Sequence, residues 1–174
     1  MRDILLQGTD VFIKWGSDND RVKKLLHEAS LYANELVELQ GTVVPRLVGT
    51  FTDRKVNPKF VCLVLEHLSG IMPDDVFEAN RQMMVLIGKL HNAGVRHKQM
   101  LPLDEYEHFI PSEKGMRIVD FTLAEKHECR GCPPLMPNDP LKFAIGYDCC
   151  YELYTLETEL ARLDLSQPPE LTPS

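Results

Sequence analysis

Leu90-His91-Asn92-Ala93-Gly94-Val95-Arg96-His97 and, further on, Arg117-Ile118-Val119-Asp120-Phe121-Thr122 are the stretches that decide the fold. Met83, Leu86, Ile87 and Leu90 recur at i, i+3, i+4 and i+7, one buried face of a helix, and Gly94 supplies the left-handed residue that stops it. Beyond the stop, a short extended piece carries His97. His108-Phe109-Ile110 and Met116-Arg117-Ile118-Val119 then read as strands around the turn Ser112-Glu113-Lys114-Gly115. Asp120 sits where the second strand runs out into a loop. A carboxylate there can hold Mg²⁺ against phosphate oxygens, because Mg²⁺ takes few protein carboxylates; capping the next segment is its plainer role.

Toward the N-terminus, Val11-Phe12-Ile13-Lys14-Trp15 is a strand pattern in which Val11 and Ile13 share a face and Lys14 points the other way. Ser17-Asp18-Asn19-Asp20 opens a helix whose stripe of Val22, Leu25, Leu26, Ala29, Ala33 and Leu36 runs to Gly41. Glu28 lies on the border of that stripe and is the acid best placed to look inward. Thr42 to Thr52 reads as an entry segment and a strand, and Phe60-Val61-Cys62-Leu63-Val64-Leu65 as a strand buried on both faces, leaving through Glu66-His67-Leu68. Met72-Pro73-Asp74-Asp75 starts the long helix.

The 174 residues, 44% hydrophobic and 26% charged, suffice for one domain or two small lobes. A net charge of -7 argues against nucleic acid or an acidic membrane as partner. With no signal-peptide core and no apolar run of spanning length, a soluble intracellular protein is expected. Five cysteines, an odd number, do not spell a secreted disulfide framework. His127-x-Cys129-x-x-Cys132 with Cys149-Cys150 could close a four-ligand zinc site, but adjacent side chains diverge and zinc ribbons separate their paired cysteines. Ordinary thiols are the expectation and zinc the alternative.

The order of these elements resembles the protein-kinase-like superfamily, in particular divergent kinase-like proteins. The motifs are Glu28-Ala29-Ser30-Leu31-Tyr32, the segment from Leu39-Gln40-Gly41 to Pro45-Arg46-Leu47, and Asp120-Phe121-Thr122-Leu123-Ala124 followed by His127-Glu128-Cys129. The resemblance covers roughly residues 10 to 160. It implies an α+β fold, with a small sheet-plus-helix N-lobe at 1–68, a truncated and mainly helical C-lobe at 69–165, and a disordered tail at 166–174. It also implies that Lys14 holds nucleotide phosphates, that Glu28 pairs with Lys14, and that Glu66 to Leu68 form the hinge reading adenine. Asp120 would hold Mg²⁺. The helix around Leu153, Leu156 and Leu160, with Cys149 on the same face, would support the catalytic loop from below, and Asp148 is a candidate for the buried acid that does so.

The departures point one way. Only Gly8 precedes Lys14, so the Gly-rich cover of the phosphates is absent or rudimentary. Gln99 occupies the position of the catalytic base, and an amide cannot take a hydroxyl proton, a role worth roughly 10² to 10⁴ in rate. The second metal ligand falls on Asp104 or on His108, and imidazole suits Mg²⁺ poorly. Thr122 replaces the usual glycine without touching the carboxylate. The expected protein is therefore a pseudokinase, a scaffold or regulator with weak binding of ATP and Mg²⁺ and a protein partner. The alternatives are an active phosphotransferase whose base is displaced to Asp104, Glu105 or Glu107, and an interaction module that binds no nucleotide. The chain is either a reduced form or a fragment of a larger product.

Overall fold

The computed structural model describes residues 10–100, 107–131 and 150–160, together with the backbone of 161–166. It is a mixed α+β structure in which three helices pack with small antiparallel sheets. Strands β1 (Val11–Gly16), β2 (Leu47–Thr52) and β3 (Val61–Glu66) form a three-stranded sheet in the order β1-β3-β2. The register pairs Lys14 with Leu63 and Phe12 with Leu65, so these four share a face. Ile13 and Trp15 lie on the opposite, exposed face.

Helix α1 (Asn19–Ala33) is capped by Asp18, whose carboxylate accepts the Arg21 N–H at 2.9 Å. Its inward stripe buries Val22, Leu25 and Leu31 together with Glu28. The helix stops short of the expected Gly41. Asn34 turns out of helical geometry while its side-chain amide donates to the Ser30 carbonyl at 2.7 Å, and a single 3₁₀ turn at Val37–Leu39 follows. Leu36 still reaches the core, fully buried. Gly41 takes the left-handed conformation that the chain reversal requires, with φ at 74°.

Helix α2 (Val76–Asn92) starts at Asp75, which accepts the Phe77 N–H, and closes with Gly94 at φ 77°. Its expected face is the core face: Met83, Ile87 and Leu90 are essentially inaccessible, each contributing about 1.5 to 3 kcal/mol on burial. Strand β4 (Val95–Arg96) pairs with β7 (Glu125–Lys126), and β5 (Phe109–Ser112) with β6 (Gly115–Ile118), the hairpin the sequence announces. The Ile118 N–H donates to the Val43 carbonyl at 2.8 Å, joining the hairpin to the segment that leads into β2.

Helix α3 (Tyr151–Ser166) extends one residue past the expected boundary at 165 and buries Leu156 and Leu160 against α2 and its neighbours. Cys150, immediately before it, is buried. The expected roles of Gly8, Asp104, Cys132, Asp148 and Cys149, and the tail beyond 166, lie outside the described residues. Among the described residues, no helix is long and apolar enough to cross a membrane.

Candidate functional site

Two side-chain constellations are found among the described residues, and both lie near the His97–Lys98 turn that follows β4. The first is built on Lys14. Because β1 turns Lys14 to the face it shares with Leu63, the ammonium meets Glu28 Oε2 from α1 at 2.7 Å and Asp120 Oδ1 from the end of β6 at 2.9 Å. Glu28 is fully buried, and its other oxygen accepts the Phe121 N–H at 3.1 Å. Burial pushes the Glu28 carboxyl upward in pKa, while Lys14 and the Phe121 N–H pull against it.

Asp120 stands at φ 67°, a left-handed position that aspartate tolerates better than most residues. Burial works to raise its pKa, but Lys14 and Thr122 outweigh it and hold the carboxyl at about 2, so it is ionised. Thr122, in the place of the usual glycine, binds this carboxylate: its hydroxyl donates to Oδ1 at 2.7 Å, as does its N–H at 3.4 Å. These contacts and the Lys14 pair all fall on Oδ1, which leaves Oδ2 for a cation.

This ion-paired group closes one end of a cavity of about 460 Å³, whose apolar walls include Phe12, Leu65, Ile110 and Val119. Glu66, Leu68 and His108 line it as well. The Glu66 N–H is occupied by the Arg46 carbonyl at 2.9 Å; among the described residues, the backbones of His67 and Leu68 make no hydrogen bond. On the other side of Lys14 and Asp120 opens a polar cleft of about 390 Å³, bordered by Arg21, Lys24, Asp18 and Asp20.

Behind the cavity lies His97, fully buried. Its Nδ1 accepts the Gln99 N–H at 3.3 Å, which puts the ring proton on Nε2, donated to the Val119 carbonyl at 2.9 Å. Burial drives its pKa down to about 4, so the ring is neutral. Gln99 therefore follows a tightly held turn. Its side-chain oxygen is buried and has no hydrogen-bond partner among the described residues.

The second constellation was only half legible in the sequence. The ligand atoms of His91, His127, Cys129 and Cys150 all lie within 4.8 Å of one another. His91 Nδ1 is 3.3 Å from Cys129 Sγ and 3.4 Å from Cys150 Sγ, and Cys150 Sγ is 3.4 Å from His127 Nε2. The geometric objection to a zinc site rests on the adjacent Cys149-Cys150 pair, but the cluster takes Cys150 alone from that pair and adds His91 from α2. The available signal was His91, four residues after Ile87 on the buried face and thus a histidine facing inward.

Glu152, in the first turn of α3, joins the two regions. Its Oε2 accepts His91 Nε2 at 2.7 Å and the His97 N–H at 3.0 Å, and Oε1 accepts the Lys98 N–H at 2.6 Å. Burial raises its pKa, but these three donors prevail and leave it lowered. Lys98 is thereby held at φ 71°. The acid beneath this turn is Glu152, which sequence reading did not single out.

No protein-family model matches the chain, and no curated protein matches it.

Proposed function

We propose that the chain is a protein-kinase-like module that binds a nucleotide with Mg²⁺ and serves as a scaffold or regulator rather than as a phosphotransferase. The observation that carries this reading is the placement of Lys14 against both Glu28 and Asp120 at the end of an apolar cavity. A base would lie among Phe12, Leu65 and Val119, with the open backbone at His67 and Leu68 available for its polar edge. The phosphates would lie beside Lys14, and Asp120 would hold the Mg²⁺ that neutralises their charge. On the far side, Arg21 and Lys24 border the cleft together with Asp18 and Asp20, and Lys24 is paired to Asp20 at 2.7 Å, so Lys14 is the cation this reading relies on.

The first three strands with α1 correspond in this reading to an N-lobe, and α2, the hairpin and α3 to a shortened C-lobe. Gln99 is why transfer is not proposed. Following the buried His97, it offers an amide where a proton acceptor is needed.

The test is a thermal-shift titration with ATP and Mg²⁺ on the wild type, Lys14→Ala and Asp120→Ala. Ligand at about 100 times Kd adds about 2.7 kcal/mol, several degrees for a domain of this size. A Mg²⁺-dependent shift lost in both variants is the expected result. No shift in folded wild type at millimolar ATP would contradict it.

A further inference from the structure

We infer that His91, His127, Cys129 and Cys150 form a structural Zn²⁺ site that joins the end of α2, the exit of β7 and the start of α3, and that steadies the His97–Lys98 turn through Glu152. The site stands independently of the nucleotide reading.

The donor set identifies the metal. Two imidazoles and two thiols, with no oxygen donor, suit zinc and exclude Mg²⁺ and Ca²⁺, which take oxygen ligands. The spacing fits too. Zn–N of about 2.1 Å and Zn–S of about 2.3 Å at tetrahedral angles place neighbouring nitrogen and sulfur ligands about 3.6 Å apart. Three of the four nitrogen–sulfur separations are 3.3, 3.4 and 3.4 Å, and the fourth lies within 4.8 Å.

Hydrogen bonding explains the cluster poorly. The Cys150 sulfur faces two imidazole nitrogens with one proton to give, and His91 Nδ1 faces two sulfurs at once. His91 Nε2 already serves Glu152, so its proton sits there and the Nδ1 lone pair is directed at the sulfurs. This is the tautomer a metal requires, and a carboxylate on the far nitrogen is the usual support of a zinc-bound histidine.

The backbone is arranged to match. The Gly131 N–H points at Cys129 Sγ from 3.3 Å, a contact that stabilises a thiolate, and its carbonyl accepts the Cys150 N–H at 2.8 Å. Gly131 stands at φ 77°, which lets the chain fold back beneath the sulfur. The His127 N–H is fixed by the Gly94 carbonyl at 2.8 Å. Four protein ligands leave no open position, so the metal is structural.

The experiment is metal analysis of the full chain purified under reducing conditions, followed by replacement of zinc with Co²⁺. One zinc per chain is expected, and the cobalt form should show the intense visible bands of tetrahedral Co²⁺ with a thiolate-to-cobalt charge-transfer band. Cys129→Ser and Cys150→Ser should lose the metal. His127→Cys should keep it and strengthen the charge-transfer band, a change that a merely packed histidine would not produce. Glu152→Gln should retain the stoichiometry while weakening affinity about 10- to 100-fold. Wild-type protein that is folded and metal-free, melts unchanged with chelator and takes up no Co²⁺ would overturn the site, as would a Cys129–Cys150 disulfide in the native protein.

Discussion

Lys14 and Asp120 are 106 residues apart in sequence and meet at 2.9 Å. The contact draws the first strand and the end of the β5–β6 hairpin onto one charge, with Glu28 as the third member. The resulting ion-paired group is both a candidate phosphate and metal site and a stability element.

Removing the cation exposes that second role. Lys14→Met leaves the Glu28 carboxylate buried without its partner, and breaking such a pair costs about 3 to 5 kcal/mol. Urea unfolding should show a loss of this order, and Lys14→Met combined with Glu28→Gln should recover part of it. A double variant as unstable as the sum of the single ones would mean that the pair is not coupled.

His97 sets a pH dependence. Its folded pKa of about 4 lies below the ordinary 6.5, so the unfolded chain takes the proton first. Its contribution is complete above about pH 6.5 and is lost as pH falls from there toward 4, each tenfold difference in proton affinity being worth about 1.36 kcal/mol. The ring resonances of His97 should not titrate between about pH 8 and pH 5. An ordinary titration near 6.5 would show that the ring is not buried and neutral.

Asp120 contributes with a different window. Its lowered value means stability present above the ordinary 3.8 and lost as pH falls toward about 2. Thr122→Val removes the hydroxyl that donates to Oδ1, so the Asp120 pKa should rise, as read by carboxyl carbon chemical shifts. An unchanged value would leave the effect to Lys14 and the backbone N–H of residue 122.

Lys98 tests the strain in the turn. At φ 71° a glycine is at ease and an alanine is not, so Lys98→Gly should be more stable than Lys98→Ala by about 1 kcal/mol, although both lose the ion pair to Glu125. Equal stabilities would mean that the turn is not held in this conformation.

Local pattern carried most of the fold. The α2 face, the β5–β6 hairpin and the strands around Lys14 and Cys62 follow from periodicity, and the inward position of Glu28 follows from its angle on α1. The end of α1 did not, because Asn34 breaks the helix with a side-chain bond to its own backbone while Leu36 keeps the apolar rhythm. Glu152 and His91 were missed for a related reason. Each is a polar residue on a helix whose significance comes from a partner in another segment, 61 residues away in the case of this pair. The His/Cys cluster likewise joins three separated segments, and only the His127-x-Cys129 spacing within one of them gave a sign of it.

Nucleotide binding at Lys14 and Asp120 is tested most directly by calorimetric titration of ATP into the folded chain with Mg²⁺ and again with chelator present in excess of the divalent ion. Because such a chelator would also challenge the zinc site, Asp120→Asn in Mg²⁺ serves as the parallel control. Saturable binding that is strengthened by Mg²⁺ and lost in Asp120→Asn is the predicted result. Binding of equal strength in wild type and Asp120→Asn, or no heat of binding in folded wild type, would contradict it.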